Sequence, residues 1–178
     1  MTMLPAEYRW LEREPGPRMI VEARKLYGIR ETAGPGNTPA IMQWADELGP
    51  GVRRVYSADA IPWCGLFMGI VAQRAGKDLP ASPLWARAWA SWGTASPKAA
   101  LGDMLVFARD GGGHVGLYIG EDGGCYHVLG GNQGDAVSIK RILKSRCIAV
   151  RRSYKIGPPA NVRPIHLSAS GAVSTNEV

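Results

Sequence analysis

After Gly102 the spacing of apolar residues changes from helical to alternate, and this single change sets the class of fold open to the chain. Beyond it, Asp103 to Ala108, His114 to Ile119, Cys125 to Leu129, Ala136 to Ile142 and Cys147 to Ser153 alternate with period two. Short glycine-rich connections join them, which predicts a mostly antiparallel sheet of about five strands. Before it, apolar residues recur at three and four. Met19, Ile20, Ala23, Leu26 and Tyr27 predict a helix running from Pro17 and ended by Gly28. Thr38 as N-cap, Pro39 at the first helical position and Gly49 past the end delimit a second, with Ile41, Ala45 and Leu48 inward. A third begins at Cys64, with Leu66, Phe67, Ile70 and Val71 on one face and Gly76 as its C-terminal cap. A fourth, Pro83 to Trp92, places Trp85, Trp89 and Trp92 on one stripe, either packed on the sheet or forming an aromatic wall beside a cleft.

Helices first and strands second make an α+β domain. With 178 residues, 46% of them hydrophobic, the chain suits one core. Residues 1–156 are expected to form a single domain with an irregular lead-in over 1–16, and residues 157–178 read as a weakly structured tail. The N-terminus has no basic stretch followed by an apolar core, so a chain made in the cytoplasm without a signal peptide is expected. No apolar run approaches the ~20 residues of a membrane span, so stable membrane insertion is not expected.

A formal charge of +6 favours an anionic partner, with nucleic acid, anionic membrane and cell-wall polymer all qualifying on charge alone. Lys140, Arg141, Lys144, Arg146, Arg151 and Arg152 alternate with apolar residues as solvated strand faces do, so no nucleic-acid patch is assigned. Three cysteines without a CxxC pair argue against a disulfide framework and a zinc knuckle. His114, His127 and His166 lack ligand spacing, so neither metal nor cofactor is expected.

Cys64 carries the chemical signal. In Ile61-Pro62-Trp63-Cys64-Gly65-Leu66-Phe67 an extended approach gives way to a helix, whose unpaired N–H groups and dipole favour a thiolate. Cys125 and Cys147 lie in apolar strand contexts and read as buried side chains. His114 follows Gly111-Gly112-Gly113, and Gly116 and Gly120 are expected to leave open space beside its ring. His127, inside an apolar strand, reads as a hydrogen-bonded core residue. Leu129-Gly130-Gly131-Asn132-Gln133-Gly134-Asp135 then supplies a polar cluster. Cys, His and amide in this order suit papain-like chemistry, with Cys64 as nucleophile, His114 as base and Asn132 orienting the ring, Gln133 or Asp135 being the alternatives. The Cys64 N–H is the expected first oxyanion donor; Ser57 and Asp59 compete for the unassigned second. Trp63, Asp59 and Gln133 are expected to touch substrate.

Pro62-Trp63-Cys64, Leu101-Gly102-Asp103-Met104-Leu105-Val106-Phe107, Gly113-His114-Val115-Gly116-Leu117-Tyr118 and Gly130-Gly131-Asn132-Gln133 resemble the small papain-like cell-wall hydrolases. These comprise the CHAP (cysteine, histidine-dependent amidohydrolase/peptidase) and NlpC-type families, particularly a phage and bacterial subgroup with a Gly-Gly-Asn-Gln element. The similarity spans roughly residues 17 to 153, on motif order. It implies a papain-like fold with the nucleophile helix on the sheet, and cleavage of peptidoglycan stem peptides or of the muramoyl amide bond. Many NlpC-type enzymes place a second histidine at the third position; Asn132 is nearer the CHAP pattern. The resemblance implies a phage-type endolysin or delivered antibacterial toxin, with a holin or secretion apparatus for delivery, action on the wall or periplasm, and a possible immunity protein. A Cys-dependent deamidase or acyltransferase acting on protein or lipid is the alternative enzyme, and a non-catalytic wall or virion binding module the alternative outside enzymes.

Overall fold

A computed structural model describes residues 2–175 and 177. The helices are α1 (Arg18–Lys25), α2 (Pro39–Glu47), α3 (Pro50–Val55) and α4 (Cys64–Arg74). The strands are β1 (Thr94–Ala95), β2 (Met104–Arg109), β3 (Gly112–Glu121), β4 (Cys125–Gly130), β5 (Ser138–Leu143), β6 (Cys147–Arg152) and β7 (Val173–Ser174). Helices therefore pack on a seven-stranded sheet of order β1-β6-β2-β3-β4-β5-β7, in which only the β5–β7 pair is parallel. The five expected strands form its centre. The two extra ones are too short to leave a periodic trace in sequence.

Alternation along the strands divides the core. Met104 and Val106 on β2, Val115, Leu117 and Ile119 on β3, and Leu129 on β4 join the buried helix residues in one cluster. Leu105, Phe107, Tyr118, Val128 and Ile142 form a second cluster. Helix α4 touches α1, α2, β3 and β4, and every residue from Cys64 to Ala72 is buried. It ends as expected: Gly76 takes φ +70°, Lys77 N–H reaches the Ala72 carbonyl and Gly76 N–H that of Gln73. At the other end, Gly65 allows close approach, because a Cβ there would stand 2.3 Å from the Leu84 carbonyl oxygen.

Three expectations change. Thr38 precedes α2, but its hydroxyl bonds the Arg30 carbonyl instead of capping the helix. The tryptophan segment is a 3-10 helix over Ala86–Ser91, so i, i+4, i+7 no longer share a face: Trp89 and Trp92 are buried while Trp85 is 74% exposed. The lead-in contains a 3-10 helix, Ala6–Arg13, that buries Tyr8 and Leu11. The expected tail has little regular structure yet is tied to the sheet: Glu121 N–H bonds the Ile165 carbonyl, Leu167 N–H bonds the Glu121 carbonyl, and β7 pairs with β5.

Tyr8 also anchors a buried polar chain. Its hydroxyl meets His127 Nδ1 at 2.7 Å, His127 Nε2 meets Asp122 Oδ2 at 3.0 Å, and Arg141 Nε donates to the same oxygen at 2.8 Å. This fits the reading of His127 as a hydrogen-bonded core residue. Arg141, aided by the Gly124 and Cys125 N–H groups and His127, holds the Asp122 carboxyl well below its ordinary range despite opposing burial. Burial pushes His127 down, partly opposed by Asp122. Both shifts favour the fold at neutral pH. Stability falls as the unfolded histidine protonates below about pH 6.5, and falls again as unfolded Asp122 protonates below about pH 4. Asp122→Ala should cost about 3 kcal/mol at neutral pH by stranding Arg141 and His127. Urea unfolding of both proteins should show that difference shrinking as pH drops below about 4.

Candidate functional site

Cys64 is the first residue of α4 and follows Trp63, whose φ of −119° and ψ of 17° turn the extended approach into the helix. The thiol meets three backbone groups, those of Val115, Gly65 and Cys64 itself, all of which favour its charged form. Burial works against them and wins, so the Cys64 thiol is pushed above its ordinary range. The helix start is therefore not enough to supply a standing thiolate. Cys125 and Cys147 are also pushed up by burial.

Val115 brings the second residue in, because it follows His114 on β3. The His114 ring stacks on Phe107, its cross-strand partner, with centroids 6.3 Å apart. His114 Nε2 lies 3.0 Å from Gln133 Oε1. Gln133 donates its Nε2 to the Val128 and Ser138 carbonyls at 3.2 and 2.6 Å, which turns its oxygen toward the ring. An oxygen can only accept, so Nε2 of His114 carries the proton and Nδ1 is left as the basic nitrogen. Burial pushes His114 down to about 4, with Gln133 and Glu177 opposing and Arg109 and Arg146 assisting, so the ring is neutral at pH 7.

The amide that meets the His114 ring is thus Gln133 and not Asn132. Asn132 takes φ +56° in the turn after β4, and the residue after it returns its side chain toward the sheet. Gly130 makes this possible, since a Cβ there would press to 3.0 Å on the Gln133 amide and 3.3 Å on His114 Nε2. Gly131 does the same against Phe67 and Trp63. Sequence reasoning held Gln133 as an alternative; only the turn geometry separates neighbouring amides.

Other expected roles change. Trp63 is fully buried, lies against Trp44 and donates its Nε1 to Glu31 at 2.8 Å, so the structure places it in the core. Asp59 is buried and accepts the Thr32 and Thr38 N–H groups at 3.0 and 2.7 Å, which organises the loop before α2. The space over Gly116 and Gly120 is filled, not open: a Cβ at Gly116 would meet Val128 at 2.5 Å, and one at Gly120 would meet Leu167 at 2.4 Å. The basic cluster is largely paired, Arg141 with Asp122, Lys144 with Glu121, Arg146 with Glu177 and Arg152 with Asp103. An open groove of about 470 Å³, lined among others by Leu48, Val52, Val55, Leu84 and Trp85, runs along the flank where Leu84 meets Gly65. Sequence reasoning missed Val55 and the groove, because α3 has too few residues for a period.

Among the described residues there is no cluster of His, Cys, Asp and Glu that could hold a metal ion, and no helix long and apolar enough to cross a membrane. The chain matches no known family model and no curated protein.

The raised Cys64 thiol predicts a definite pH profile. Iodoacetamide alkylation of Cys64, followed by peptide mass mapping, should quicken roughly tenfold per pH unit from about pH 7 to about pH 9. A rate already level across that range would mean a preformed thiolate.

Proposed function

We propose that the chain is a papain-like cysteine hydrolase that cleaves peptide or amide bonds of peptidoglycan. The observation that supports it most is the joint placement of the Cys64 thiol against the Val115 backbone and of the preceding His114 on Gln133. The motif resemblance supplies the substrate class.

In this reading Nδ1 of His114 takes the Cys64 proton as sulfur attacks the substrate carbonyl carbon. Gln133 holds the ring in the one tautomer that leaves Nδ1 free, without adding a charge. The Cys64 N–H at the helix start faces the oxyanion of the tetrahedral intermediate. Collapse breaks the C–N bond, and the departing amine takes the proton back from His114. Water, deprotonated by the same nitrogen, then hydrolyses the thioester. Because resting Cys64 is a thiol, proton transfer accompanies attack instead of preceding it.

Purified protein on isolated peptidoglycan should release free amino groups and no new reducing sugar ends, and Cys64→Ala should release neither. Walls of several chemotypes left untouched by the wild type would shift the assignment to a deamidase or acyltransferase.

The three polar residues should also differ in weight. His114→Ala should lower kcat by at least on the order of 10²-fold. Gln133→Ala should lower it less, and Asn132→Ala less again, measured as amino-group release per folded enzyme. Asn132→Ala as the more damaging of the two amide variants would return the orienting role to Asn132.

A further inference from the structure

His114 and Cys64 are 2% and 7% exposed, a degree of closure that substrate must overcome. Glu177, past β7, bears on this closure. Glu177 is completely buried at its side chain and meets Arg146 through both carboxylate oxygens, each at 2.8 Å. Arg146 in turn reaches the Ala108 carbonyl through Nε at 3.3 Å and the Ser174 carbonyl at 3.3 Å. Ala108 follows Phe107, whose ring stacks on His114, and it pairs across the strands with Gly113, the residue before His114. The guanidinium fork is therefore fixed to the main chain at the end of β2 that supports His114, with Nη1 and Nη2 gripping a carboxylate.

An ordinary tail anchor does not need this arrangement. Taking a carboxylate wholly out of water costs several kcal/mol, and an apolar side chain would hold the tail with less opposition. A planar fork with two parallel donors is instead the form in which carboxylates are recognised. The charge reaches the site as well: Glu177 favours protonated His114, while Arg146 opposes it. Burial raises Glu177, but the Arg146 hydrogen bonds and charge, with a hydrogen bond from Ser174, pull it down, so the group stays ionised.

We propose that Arg146 is the receptor for a free carboxylate of the peptide substrate beside His114, and that Glu177 occupies this receptor in cis until such a carboxylate replaces it. The proposal rests on Cys64 and His114 being the reacting pair. It assigns the substrate a carboxylate close to the cleaved bond, and it makes the tail a competitor whose release opens the site.

The test uses the whole chain and the alkylation of Cys64, a readout that does not depend on wall hydrolysis. Glu177→Gln should speed alkylation by anionic iodoacetate at least on the order of tenfold, and by neutral iodoacetamide clearly less, because the vacated fork attracts the anion. N-acetyl-alanyl-alanine should slow the reaction in Glu177→Gln, and its C-terminal amide should not. Arg146→Lys, which keeps the charge but loses the fork, should reduce the preference in the Glu177→Gln background. Equal acceleration of both reagents would overturn the receptor and leave the tail a plain cover. No acceleration of either, or equal protection by the acid and amide peptides, would overturn it too. A protein that hydrolyses no wall yet shows the iodoacetate preference would retain the carboxylate receptor and lose only the peptidoglycan assignment.

Discussion

Burial of α4 from every side is the constraint on which the rest of the molecule depends. Enclosed by α1, α2, β3 and β4, the helix has no solvent face from Cys64 to Ala72, so each neighbour has to approach it without a gap. The chain achieves this with glycines at the contacts: Gly65 against the Leu84 carbonyl and Gly131 against Phe67 and Trp63. Because Cys64 opens this helix, its thiol inherits the rigidity of the core. It also inherits the core's low polarity. A helix start lowers a thiol and enclosure raises it, and here enclosure wins, so Cys64 rests as a thiol and His114 as a neutral imidazole at neutral pH.

Local signals in the sequence carried the architecture well wherever a period ran for several residues. The switch at Gly102, the five central strands, α4 and its Gly76 cap were legible because each leaves a pattern within a single element. The tryptophan stripe failed for a related reason: its spacing assumed 3.6 residues per turn, while the segment winds at three and turns Trp85 outward. Strands β1 and β7 have two residues each, below the length at which alternation means anything.

Site residues were legible by type and order, and less so by position. Cys64 and His114 stand out through their flanks. The choice between Asn132 and Gln133 depends on a left-handed residue in a turn and on two carbonyls, Val128 and Ser138, that reach the amide from separate strands. Asp59 and Trp63 illustrate the converse. Both lie just before Cys64 in sequence, yet each is hydrogen-bonded elsewhere, to Thr32 and Thr38 in one case and to Glu31 in the other. Proximity along the chain indicates which loop a residue organises, not which way it faces.

The short parallel β7 has a consequence for how copies of the molecule treat one another. Strand β5 would otherwise present a six-residue row of backbone donors and acceptors, a template onto which a second chain can add. Val173 and Ser174 lie against Arg141 and Ile142 of that row, and at the opposite end Thr94 and Ala95 cover β6. Each edge of the sheet is thereby closed by a two-residue cap too brief to be copied. Loss of the segment beyond residue 170 would leave β5 as a sticky border, and the molecule's solubility as separate particles would then depend on the charges of Lys140, Arg141 and Lys144 along it.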